Sequence, residues 1–146
     1  MSLRAVFENL RNLFASKPPR VYQHPVYGRF EAEAGEQCWI TKIQKDGFSL
    51  SLSILGSDSQ PDASRLEAVA YTLAQFASLN AKALDFIVRE QPGAQRQEFT
   101  PTGFDFGCVS GLDPQDFEFE FTRAGDDDGI WRVVFRSGVP EILGRE

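Results

Sequence analysis

The sequence has one histidine, two cysteines and fewer bases than acids. Each shortage excludes something. A Ser-His-Asp or Cys-His centre needs a base held against a nucleophile and oriented by a third group. His24 stands alone before Pro25, with no serine or cysteine elbow beside it, and reads as a structural or solvent-facing residue. Cys38 and Cys108 lie far apart and belong to no CxxC or Cys/His cluster, so no metal site is expected from them. Each reads as a buried, reduced cysteine on a strand. The 15 Lys and Arg against 21 Asp and Glu give a net charge of −6, the wrong overall sign for a chain that must neutralise phosphates. No apolar run approaches the ~20 residues of a membrane span. Glu8, Asn9, Arg11 and Asn12 interrupt the first apolar residues, so no secretory leader is read there. These features predict a cytoplasmic protein that uses no cofactor and binds neither nucleic acid nor membrane.

What the sequence has in quantity is phenylalanine, thirteen in 146 residues. Hydrophobic residues make up 42% and charged residues 25%, a globular balance that fits one domain over 1–146. Leu3, Val6, Phe7, Leu10, Leu13 and Phe14 recur at helical spacing, predicting a short amphipathic helix over 1–16 before a linker at 17–25. The core then runs over 26–146. Strands are expected at 26–33, 36–44 and 48–55, with Asp46 and Gly47 as a hairpin turn between the last two. Phe48, Leu50, Leu52 and Ile54 alternate there with Ser49, Ser51 and Ser53. Pro61 suits the first turn of a helix. Leu66, Val69, Leu73, Phe76, Leu84 and Ile87 continue it as one stripe to Pro92 and Gly93, roughly 43 Å if unbroken. A bend is expected near Ser78, Leu79 and Asn80. A linker at 94–103 leads to strands at 104–112, 116–123 and 130–136, and to a short last segment at 139–143.

This order predicts an α+β fold: a mostly antiparallel sheet of six to seven strands, as three strands, a long helix, then three to four strands. The long helix packs on one face, and the short N-terminal helix is added to it.

Several groups invite chemistry. Asp126, Asp127 and Asp128 before Gly129 suggest a calcium loop, but the acids are contiguous and no glutamate stands at the distal ligand position, so a polar hairpin loop is expected. Glu118 and Glu120 share one strand face. Acid–base work is open to them, but cross-strand pairing with Arg132 or Arg136 is the plainer reading. Gly103, Gly107 and Gly111 recur every fourth residue without the Lys and Ser/Thr of a P-loop, and predict strand bulges.

Three segments together resemble a known family. They are Phe7 to Phe14; His24-Pro25-Val26-Tyr27-Gly28-Arg29-Phe30 with Cys38-Trp39 and the Asp46-Gly47 hairpin; and Ile130 to Pro140, which carries Val133, Phe135, Ser137, Gly138 and Pro140. The chain resembles a family of small, uncharacterised bacterial α+β domains with an HPxxG start and a VxFxxGxP end. Some members of that family resemble immunity proteins of polymorphic toxin systems. The resemblance implies a small cytoplasmic protein and carries no catalytic residues. His24, Pro25, Gly28, Trp39, Gly138 and Pro140 are its fold markers.

The expectation is therefore a non-catalytic protein-binding domain, extending to an immunity protein that neutralises a cognate toxin. Occlusion of a basic toxin needs complementary charge and a rigid surface. Glu118, Glu120, Asp126, Asp127 and Asp128 are the expected partner-binding residues. The chain is expected as a monomer, or as a homodimer through the N-terminal helix. The alternative is a small enzyme or ligand-binding domain with a pocket between helix and sheet.

Overall fold

The computed structural model describes residues 18–109 and 111–146. The helix expected over 1–16 and its proposed dimer contact lie outside the described residues. Eight strands form one sheet in chain order: β1 (Arg20–His24), β2 (Gly28–Ala32), β3 (Cys38–Lys45), β4 (Phe48–Leu55), β5 (Phe99–Phe106), β6 (Phe117–Arg123), β7 (Asp126–Arg136) and β8 (Val139–Arg145). Two helices, α1 (Ala63–Ala74) and α2 (Phe76–Glu90), connect β4 to β5. Every neighbouring pair is antiparallel except β4 and β5, which run parallel. A parallel pair cannot be closed by a hairpin and needs a crossover, and the helix pair provides it.

The strand expectation of six to seven is corrected to eight. Residues 20–24, read as linker, form β1, which pairs along its whole length with β2 from Arg20↔Ala32 to His24↔Gly28. Residues 99–103 also leave the expected linker and enter β5. The single long helix is corrected to two short ones, broken at Gln75 and not near Ser78. No glycine or proline marks the break. Gln75 leaves helical geometry at φ −102° and ψ 15°, while its N–H still reaches the carbonyls of Tyr71 and Thr72. The break lets Val69 and Leu73 on one segment, and Phe76, Leu79, Ala83, Phe86 and Ile87 on the next, all bury against one sheet.

Local chemistry explains the hairpins. Asp46 and Gly47 both take positive φ, 50° and 85°, as a two-residue turn between right-twisted strands requires. Ser137 and Gly138 repeat this between β7 and β8. Alternation supplies one buried face: Leu50, Leu52 and Ile54 of β4, Phe104 and Phe106 of β5, Phe117, Phe119 and Phe121 of β6, and Trp131, Val133 and Phe135 of β7. The aromatic rings meet directly. Phe104 lies 4.1 Å from Phe119 between ring centroids and also contacts Phe76, Phe106 and Phe117. Phe104→Ala is expected to cost about 3–5 kcal/mol, because the rigid neighbours cannot close the cavity. Urea denaturation of both proteins checks this; a loss below ~1 kcal/mol would place Phe104 outside the core.

Candidate functional site

Residues that alternate with the aromatic face emerge on the other side of the sheet. The registers Ser53↔Asp105, Asp105↔Glu118, Gly103↔Glu120 and Glu120↔Arg132 set three acids and one guanidinium side by side across β5, β6 and β7. Arg132 donates from Nη1 to Glu118 at 3.0 Å, and its Nη2 lies 3.2 Å from Glu146 and 3.7 Å from Glu120. Glu118 is buried beside it. The cross-strand pairing expected for Glu118 and Glu120 is what Arg132 makes, whereas Arg136 turns to Glu141.

Asp105 is fully buried. Its Oδ2 accepts the Val109 N–H at 3.0 Å, while Oδ1 has no hydrogen-bond partner. Burial pushes its carboxyl above the usual range and the neighbouring Glu118 charge adds to this; the Val109 N–H and Arg132 work in the opposite direction. Burial likewise raises Glu120, against the pull of Arg132. One guanidinium therefore faces four carboxylates when Glu146 is included, an arrangement suited to holding a proton.

The segment that bonds Asp105 starts at Gly107. Its φ of +93° turns the chain back and favours glycine, and an added Cβ would also push on the Arg65 guanidinium, 2.5 Å away. Cys108 follows and is bonded to Cys38 at the start of β3, with Cα atoms 5.6 Å apart. The expectation of two reduced strand cysteines is corrected: they form a disulfide, both are half-buried, and Cys108 sits in a turn past the end of β5. β5 ends at Phe106 and not at 112 because Gly107 reverses the chain. Closing a 70-residue separation removes on the order of 4 kcal/mol of unfolded-state entropy.

The three aspartates have separate fates. They lie on β7, not in the expected loop, because only Ala124 and Gly125 turn the chain and Arg123 already pairs with Asp126. Asp126 accepts from Trp131 Nε1 at 2.9 Å and from Arg145 Nε at 2.7 Å. Arg145, then Trp131, pull its carboxyl down to about 2. Asp127 and Asp128 stay exposed. Among the described residues no group of three or more His, Cys, Asp or Glu is placed to hold a metal ion.

His24 serves its turn: Nδ1 accepts the N–H groups of Val26 and Tyr27, both at 3.1 Å, and the ring stacks on Tyr27. An open cleft between α2 and β8 is bordered by Phe86, Glu90, Trp131, Leu143 and Arg145. Among the described residues no helix is long and apolar enough to cross a membrane. Comparison of the chain with family models, with curated proteins and with solved structures returns no match.

Glu118, Glu120 and Arg132 are legible in the sequence as a pairing set, whereas Asp105 and the cysteine pair emerge from the structure. Asp105 had a signal, since it alternates with Phe104 and Phe106 and so had to face away from the aromatic layer. The disulfide had none, since spacing over 70 residues says nothing about contact.

The pH dependence follows from the two opposite shifts. Asp105, raised when folded, weakens the fold when ionised, so stability is gained as pH falls through its folded value. Asp126, lowered when folded, contributes stability above the ordinary Asp range of ~4 that is lost as pH falls toward its folded value. Asp105→Asn is expected to be at least as stable as the parent at neutral pH and to show a smaller gain on mild acidification, the part due to Glu120 remaining. Urea midpoints from neutral to mildly acid pH test this, and a variant less stable at neutral pH with an unchanged slope would contradict it.

Proposed function

We propose that the chain is a non-catalytic protein-binding domain, and that its partner is a basic protein, in the specific form of a bacterial toxin that it neutralises as an immunity protein. The observation that supports this is the division among the acids. Arg132 pairs with Glu118 and Glu120 within the sheet, and Arg145 holds Asp126, while Asp127 and Asp128 remain exposed on β7. The exposed Ile130 lies two residues beyond them. Exposed acids beside an apolar anchor suit an interface that steers a basic protein and then holds it. Of the five expected binding residues, Asp127 and Asp128 are assigned to the partner and the other three to the fold. A cytoplasmic setting belongs to this reading, and there a disulfide is ordinarily transient and not a permanent staple.

The test is affinity capture from the native bacterial lysate with the tagged chain and with its Asp127→Asn/Asp128→Asn variant, followed by co-expression with the captured protein. The reading expects one basic protein in near-equimolar amount, released by high salt, held at least ~10-fold more weakly by the variant, and toxic to cells unless the chain is co-expressed. Equal retention by both proteins would remove Asp127 and Asp128 from the interface. A captured protein that leaves growth unaffected would remove the immunity role.

A further inference from the structure

The turn after β5 is fastened at one point more than its fold requires. Gly107, Cys108 and Val109 fold back so that the Val109 N–H reaches Asp105 while Cys108 reaches Cys38. The strands beneath are joined without that bond: Cys38 pairs with Leu55 of β4, and Ile54 of β4 pairs with Phe106 of β5. Besides the disulfide, ties seen among the described residues are the Val109 N–H to Asp105 and the Gly111 N–H, which returns to the Gly107 carbonyl. Gly107 and Gly111 both take positive φ, 93° and 60°, and bracket the turn with two pivots. Both cysteines are half-buried, within reach of a small thiol. Under the turn lies a carboxylate with one oxygen already lacking a partner.

We propose that the Cys38–Cys108 bond is a redox-operated clasp, whose reduction by a dithiol frees the turn at Gly107, Cys108 and Val109 and uncovers the carboxylate of Asp105. The dithiol's thiolate attacks one protein sulfur, forming a mixed disulfide and releasing the other as thiolate. The reductant's second thiolate then closes on its own sulfur. Two electrons pass to the protein, which ends with two thiols, and the reductant ends as a disulfide. The sheet stays intact, since its registers do not run through the bond. Uncovered, Asp105 adds a carboxylate beside the partly exposed Glu120, so the surface differs in charge from that of the clasped state. The proposal stands apart from the partner's identity.

The experiment compares the full chain purified in air, the same protein reduced with dithiothreitol, and the Cys38→Ser/Cys108→Ser variant. Alkylation counts thiols, a water-soluble carbodiimide with an amine labels accessible carboxylates, and amide hydrogen exchange reports the strands. The expected result is no free thiol in air, several-fold greater labelling of Asp105 after reduction, and protection across β3, β4 and β6 that is reduced by the lost loop closure but retained. The serine variant should label like the reduced protein whether or not dithiothreitol is present. Two free thiols in air, unchanged Asp105 labelling after verified reduction, or loss of protection throughout the sheet would each overturn the clasp.

Discussion

The parallel pairing of β4 with β5 is the contact on which the molecule depends. Four registered pairs, from Ser51↔Gly103 to Ile54↔Phe106, join two antiparallel ribbons of four strands each. Because the strands run the same way, the chain must travel the length of the sheet between them, and α1 and α2 make that journey over one face. Leu52 and Phe104, and Ile54 and Phe106, then stand side by side under the helices. The helices pack on the aromatic face, and the same register that stacks the phenylalanines sends Asp105, Glu118, Glu120 and Arg132 to the opposite side.

That opposite face carries the electrostatic character of the protein. Removing charges from water costs several kcal/mol each unless they are paired and hydrogen-bonded, and one guanidinium among four acids leaves the set short of positive charge. Burial raises the proton affinity of Asp105 and Glu120, and the neighbouring acids add to it. Around Asp126 the balance runs the other way, with Arg145 and the Trp131 indole both donating to one carboxylate. A chain of net charge −6 thus holds several of its acids as internal structure and leaves Asp127 and Asp128 in water.

Much of this was legible in the sequence wherever a local pattern decided the outcome. The Phe48–Leu55 strand, the Asp46–Gly47 turn and the alternation of Phe117, Phe119 and Phe121 follow from period-two patterning and turn chemistry, and the pairing of Glu118 and Glu120 with Arg132 follows from that alternation. Elements decided by distant partners were not legible. β1 is five residues whose Tyr22 packs on the core, and its pairing with β2 makes it a strand. The helix breaks at Gln75 with no breaker residue, because both halves must reach one sheet. Asp126 to Gly129 carry loop chemistry, yet β8 draws their neighbours into the ladder: Ile130 and Glu146 exchange both backbone hydrogen bonds. The cysteine pair depends on Gly107 turning the chain toward β3.

The fold sorts its carboxylates into buried groups that resist ionising, a pinned group that resists protonation, and exposed groups left in water. The most direct measurement is an NMR titration of the individual side-chain carboxyl carbons in the intact oxidised chain. The account expects Asp126 to titrate near about 2, and Asp105 and Glu120 to titrate above the ordinary range for their type. If Asp105, Glu120 and Asp126 titrate together in the ordinary carboxylate range, the sheet does not sort its charges and the account is wrong.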